Sequence, residues 1–132
     1  MPGYSGTPLP KKLGIKDGFN VRLIDAPSDV VSELKPSLEK CSRNAKSPLD
    51  LAMLFTKSST TLKKEFQVLA KGLSPAGMIW VSWPKKSSGV ATDLTENIVR
   101  DIGLAAGLVD VKVCAVTDIW SGLKFVRRLK DR

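Results

Sequence analysis

The sequence predicts a three-layer α/β fold: a mostly parallel sheet covered by helices on both faces and closed by a C-terminal antiparallel hairpin. Three observations predict it. Short apolar runs alternate with segments of helical period. Proline, glycine and serine clusters punctuate the chain between them. The last two strand-like runs are separated only by a turn, as in a hairpin. Strands that alternate with helices imply parallel pairing through right-handed crossovers.

The elements are expected in this order. Met1 to Pro10 (MPGYSGTPLP) holds three prolines and two glycines, which favour an extended lead-in over a helix. Lys11 to Ile15 follows as a short helical turn, and Lys16-Asp17-Gly18 as a tight turn. Residues 1–15 thus form an N-terminal segment, and residues 16–132 a single domain. Phe19 to Ala26 (FNVRLIDA) is the first strand, stopped by Pro27. Ser28 or Asp29 caps a helix that runs to about Leu34 and is ended by Pro36. Leu38 to Arg43 reads as a short edge strand. Leu49 to Phe55 (LDLAMLF) is apolar almost throughout, as a strand buried on both faces is. Thr60 to Gly72 is an amphipathic helix, with Leu62, Phe66, Leu69 and Leu73 at helical spacing and Gly72 as its cap.

Ser74 to Gly77 (SPAG) reads as a turn, and Met78 to Trp83 (MIWVSW) as a buried strand closed by Pro84. Lys85 to Val90 is a polar loop. Asp93 and Glu96 have capping-box spacing ahead of a helix to Ala106, with Ile98, Ile102 and Ala105 on its inner face. Leu108 to Val116 alternates as a half-covered strand, Thr117 to Gly122 turns, and Leu123 to Leu129 completes the hairpin. The whole is a Rossmann-like arrangement.

Composition limits the chemistry. The chain has 132 residues, 42% hydrophobic and 26% charged, enough to bury a core without staples. No apolar run approaches the roughly 20 residues that cross a bilayer, and the N-terminus lacks the apolar stretch of a signal peptide. A cytoplasmic protein with no membrane partner is expected. Cys41 and Cys114 are expected as small core residues, unpaired and without the neighbours of a zinc site. Histidine is absent, which removes Ser-His-Asp and Cys-His pairs and histidine-ligated metals. The sparse carboxylates argue against any metal site, and no cofactor can be named. The net charge of +8 favours an anionic small molecule, a nucleic acid or an acidic protein as partner, although it also serves solubility. The basic residues cluster only at Arg127, Arg128, Lys130 and Arg132.

Parallel α/β sheets bind ligands beyond the carboxyl ends of their strands. The loops expected there contain Asp25; Lys57, Ser58 and Ser59; Trp83, Lys85, Lys86, Ser87, Ser88 and Thr92; and Trp120 and Ser121. Two of them share a pattern of lysine, paired serines and then a helix N-terminus, where free N–H groups and the helix dipole favour anions. Trp83 and Trp120 could supply flat walls, and Asp25 could meet a ribose hydroxyl. The same serines also suit simple helix capping. Neither G-x-G-x-x-G after a strand nor G-x-x-x-x-G-K-[ST] is present, and the first loop (DAPSD) has no glycine. The function expected from the residues is a small non-catalytic binding or regulatory module with a phosphate- or nucleotide-like ligand at this edge.

Several stretches carry a resemblance. Tyr4 to Leu9 (YSGTPL), Trp80 to Lys86 (WVSWPKK), Thr92 to Glu96 (TDLTE) and Trp120 to Phe125 (WSGLKF) resemble a small uncharacterised bacterial family, a domain of unknown function. That resemblance implies a compact bacterial protein and no known activity. More widely, LGIKDGFNVRLID, LSPAGMIWVSWP and the closing hairpin look like a truncated S-adenosylmethionine-dependent methyltransferase sheet. The glycine-free first loop departs from that pattern. The alternatives are therefore a degenerate methyltransferase-like enzyme, or a module that docks on nucleic acid or protein.

Overall fold

The computed structural model describes residues 7–132. The extended lead-in expected for Met1 to Gly6 lies outside them. Five strands form one sheet: β1 (Val21–Ile24), β2 (Leu49–Phe55), β3 (Leu73–Pro84), β4 (Leu108–Ala115) and β5 (Trp120–Arg127), in the order β1-β2-β3-β5-β4. β1, β2 and β3 run parallel, and β5 lies antiparallel between β3 and β4. The helices are α1 (Leu9–Leu13), α2 (Ser28–Leu38), α3 (Ser59–Lys71) and α4 (Glu96–Ala105). The expected α/β sheet with its C-terminal hairpin is thus present.

Alternation along the strands builds two cores. On one face Ala52, Leu54, Ile79, Val81, Leu123 and Phe125 meet Leu62, Phe66 and Leu69 of α3 and Val99 of α4. On the other, Leu51, Met53, Phe55 and Trp80 meet Leu9 and Leu13 of α1 and Val30 and Leu34 of α2. Each fully buried Leu or Phe contributes roughly 1.5–3 kcal/mol. No helix among the described residues is long and apolar enough to cross a membrane.

Several boundaries differ from expectation for identifiable reasons. Leu9 to Leu13 is helical, because Pro10 sits in the first turn, where its missing N–H costs nothing. Gly14, at φ +82, ends that helix. The Trp80 indole N–H donates to the Leu13 carbonyl (2.9 Å) and ties α1 to the sheet. α2 continues through Pro36 to Leu38, since a proline in the last turn forfeits only one bond. Ser74 to Gly77 is no turn. It lies inside β3, in an irregular stretch where register jumps from Leu49↔Leu73 to Leu51↔Met78. Thr95, not Asp93, caps α4, accepting from the Ile98 N–H (3.2 Å). The buried face of α4 falls on Val99 and Gly103; the expected Ile102 packs partly buried against the same core, whereas Ile98 and Ala105 are exposed. β5 begins at Trp120, so the hairpin turn is tighter than expected. Cys41 and Cys114 are unpaired and half-buried rather than core residues.

The expected edge strand over Leu38 to Arg43 shrinks to one parallel bridge, Asn20↔Ser42. The Val21 N–H donates to the Ser42 carbonyl (2.9 Å), and the Ser42 N–H to the Phe19 carbonyl (2.8 Å). The Asn20 carbonyl accepts instead from Asp50 (2.9 Å), at the start of β2. In a parallel pair, consecutive residues point their backbone groups to opposite sides. Ser42 therefore lies on the side of β1 away from β2. The chain leaves β1 through α2, touches down outside β1, and then returns beneath it to β2. The five strands themselves run β1-β2-β3-β5-β4; counted with the single Ser42 bridge outside β1, the path of the chain changes direction at β1.

Candidate functional site

A change of direction of this kind opens a crevice at the carboxyl ends of the flanking strands, the position where such sheets take ligands. Here the flanking ends are Asp25 to Pro27 after β1 and Thr56 to Ser58 after β2. The register Ile24↔Leu54 sets them side by side. Asp25 has φ +56, in the left-handed region that Asp tolerates better than most residues. It turns the chain sharply where a glycine would ordinarily be used. Pro27 occupies the N-cap of α2 and supplies no side-chain acceptor. The Val30 N–H donates to Asp29 Oδ1 (3.0 Å), and the residue at the N-cap bonds none of the first N–H groups of α2.

α3 behaves differently. Ser58 is a true N-cap, accepting from the Thr61 N–H (3.3 Å). Ser59 donates its N–H and its hydroxyl to the Asp93 carboxylate, at 2.9 and 2.8 Å. The Ser59 hydroxyl, then its N–H, hold the Asp93 carboxyl below the usual range. The anion that the Lys-Ser-Ser pattern predicted at this helix end is thus the protein's own carboxylate. The Lys57 carbonyl accepts from the Thr92 hydroxyl (2.6 Å) and the Asp93 N–H (3.3 Å), so Thr92 and Asp93 fasten the loop before α4 to the end of β2.

The second Lys-Ser-Ser loop does not begin a helix of that kind. Lys86 to Ser88 makes a single 3-10 turn, with the Ser88 hydroxyl donating to the Lys85 carbonyl (2.6 Å). Between this turn and the start of α4 lies a cavity of about 620 Å³. It gathers Trp83, Lys85, Lys86, Thr92 and Ser121 from the expected set and adds Glu96. Ser87 is exposed and is not in its lining. Trp83 and Trp120 do not face each other. Trp83 belongs to the α3/α4 core, whereas Trp120 packs edge-on against Phe55 (ring centroids 5.3 Å apart) on the α1/α2 face. Asp25 stands apart at the β1 end.

The ion pairs of Arg100 lie outside the expected site residues. Glu96 Oε2 is bound by Arg100 Nη2 at 2.6 Å, and Arg100 Nε also holds Asp110 at 2.9 Å. The Arg100–Glu96 spacing of four on one helix was readable, whereas Asp110 comes from β4. At the opposite edge Arg127 is a structural residue: its Nη2 donates to the carbonyls of Ala70 (2.6 Å) and Leu73 (2.8 Å) at the end of α3. Burial pushes both cysteine thiols up from their ordinary value, so neither is poised as a thiolate nucleophile.

Neither the known family models nor the curated proteins contain a match to this sequence. The fold does find likenesses among solved structures. A precorrin-6y C5,15-methyltransferase from Geobacter metallireducens aligns with a TM-score of 0.66 and 11% identity, over 91% of this chain and 86% of that one. A ribosomal protein L11 methylase from Lactobacillus delbrueckii gives 0.58 and 10%, over 91% and 75%. The magnesium protoporphyrin IX methyltransferase from Synechocystis, with bound SAM, gives 0.56 and 13%, over 91% and 74%. Identities this low establish the fold and nothing finer. The expectation of a non-catalytic binding or regulatory module is corrected at this point: structures that share the fold include several methyltransferases, which favour the methyltransferase-like alternative. The chain has a Rossmann-like α/β sheet, similar in fold to those of these methyltransferases.

Proposed function

We propose that this protein is a methyltransferase-like enzyme that binds S-adenosylmethionine in the crevice where the path of the chain changes direction at β1. The observation that supports the reading is the bridge at Ser42, which sets β1 between a returning chain segment and β2, in a sheet that shares its fold with methyltransferases. The residues present fit the cofactor. Asp25 offers a carboxylate to ribose hydroxyls, as acidic residues near strand ends do in nucleotide-binding sheets. The uncapped start of α2 suits the cofactor's carboxylate, and Asp29 in its first turn suits the ammonium. The glycine-free loop is compatible with this, since Asp25 itself makes the left-handed turn. When bound, the cofactor supplies an electrophilic methyl group on a sulfonium.

Titration calorimetry with S-adenosylmethionine and its demethylated product tests the reading. One-to-one binding of both is expected. Asp25→Asn preserves the left-handed backbone, removes the charge and should weaken both by about tenfold or more. Absence of heat, together with an unmoved thermal midpoint at millimolar ligand, would overturn it.

A further inference from the structure

The cavity between the 3-10 turn and α4 carries a charge that the fold does not balance. Lys85 and Lys86 both line it, and among the described residues neither ammonium has an ion-pair partner. The one carboxylate in the lining, Glu96, is already held by Arg100. Trp83, only 6% exposed and fixed in the α3/α4 core, supplies a rigid apolar wall. The cavity of about 620 Å³ has room for a small molecule. It opens on the same edge of the sheet as the β1–β2 crevice. The end of β3 lies two strands from that of β1, about 10 Å away.

The chain has no histidine and no activated thiol to deprotonate an acceptor. Resting on the methyltransferase reading, we propose that this cavity takes the methyl acceptor, and that the acceptor is a small planar molecule whose nucleophile is already an oxygen anion, a carboxylate or phenolate. Lys85 and Lys86 hold the anion near the mouth, and Trp83 packs the planar body. The acceptor oxygen donates a lone pair to the methyl carbon. The carbon–sulfur bond breaks and its electron pair stays on sulfur, which becomes a neutral thioether. The oxygen loses its negative charge on forming the new bond, so no proton is released and no general base is needed. Loss of that charge also weakens the hold of the two lysines and favours product release.

The test uses the full chain saturated with S-adenosylhomocysteine, and 2-naphthoate and 2-naphthamide as probes of one shape and two charges. Affinities are read from the Trp83 indole N–H resonance. Naphthoate should bind at least about tenfold more tightly than naphthamide, and a Lys85→Gln/Lys86→Gln double variant should lose that preference while binding the cofactor product unchanged. Equal affinities, a preference that survives in the double variant, or no naphthoate binding to a saturated complex would overturn the inference. If S-adenosylhomocysteine itself fails to bind, the fault lies in the underlying reading, and the inference falls with it.

Discussion

Replacing Asn20 should unfasten the return of the chain beneath β1. The side chain is 95% buried, with 5% relative exposure remaining, and it bonds at both ends. Its Nδ2, with two hydrogens to share, lies within bonding distance of the carbonyls of Asn44 (2.9 Å), Ser47 (3.1 Å) and Pro48 (3.0 Å). Its Oδ1 accepts from the Ser42 hydroxyl (3.1 Å) and the Asn44 N–H (2.9 Å). Each such bond is worth about 1 kcal/mol net, but residues 43–48 are exposed and their freed groups recover water. Asn20→Ala should therefore cost about 2–3 kcal/mol. With an unfolding entropy of about 0.28 kcal/mol/K for a chain this long, the thermal midpoint should fall by about 7–11 °C. Asn20→Asp sharpens the test. It sets a carboxyl against three carbonyl oxygens and beside Asp50, whose Oδ2 accepts from the Asn20 N–H at 2.7 Å. Those neighbours raise the folded-state pKa of the new acid above its unfolded value, so its best contribution is at low pH and is lost as pH rises. The stability gap to wild type should narrow on acidification, as read by urea titration at a series of pH values. A fall of less than about 1 kcal/mol for Asn20→Ala, or a pH-independent gap for Asn20→Asp, would refute the staple.

Three further outcomes follow from the same contacts. A Cβ at Gly103 would run into the Phe125 ring, in the well-packed α3/α4 core, so Gly103→Ala should destabilise by about 1–3 kcal/mol in urea titration despite the better helix propensity of alanine. The Ser82 hydroxyl is buried without a partner among the described residues, so Ser82→Ala should leave stability unchanged or raise it by about 1 kcal/mol, and a clear loss would show a hidden partner. Asp93 has a depressed pKa, so its stabilisation is present above the unfolded carboxyl pKa and disappears as pH falls through the folded value; Ser59→Ala should move its carboxyl titration, followed by NMR, back up towards the ordinary range.

Where a local pattern coincides with a local cause, the sequence is a good guide. The apolar run Leu49 to Phe55 is a buried strand, and the spacing of Leu62, Phe66 and Leu69 is the buried stripe of α3. The closing hairpin follows from alternation and a short turn. Prediction weakens where a partner is distant in the chain. Asn20 looks like one polar residue in a strand, and nothing nearby announces bonds to residues 22–28 positions away. Asp93 has the spacing of a capping box, yet its carboxylate goes to Ser59, 34 residues earlier. Pro10, Pro36 and Pro75 are break signals in the sequence, but in a first turn, a last turn and an irregular strand the missing N–H costs little. The loops expected to carry a site do lie at the carboxyl ends of β1, β2 and β3. Sequence could not reveal that Trp83 and Trp120 lie on opposite faces, because that depends on where β5 enters the sheet.

The most direct test of the central claim is a map of amide chemical shifts as S-adenosylhomocysteine is added. The account predicts the largest shifts over Asp25 to Asp29 and Thr56 to Ser58, with little change at Arg127 and Arg128 on the far edge. Shifts centred on that far edge, or a spectrum unmoved at millimolar ligand, would contradict it.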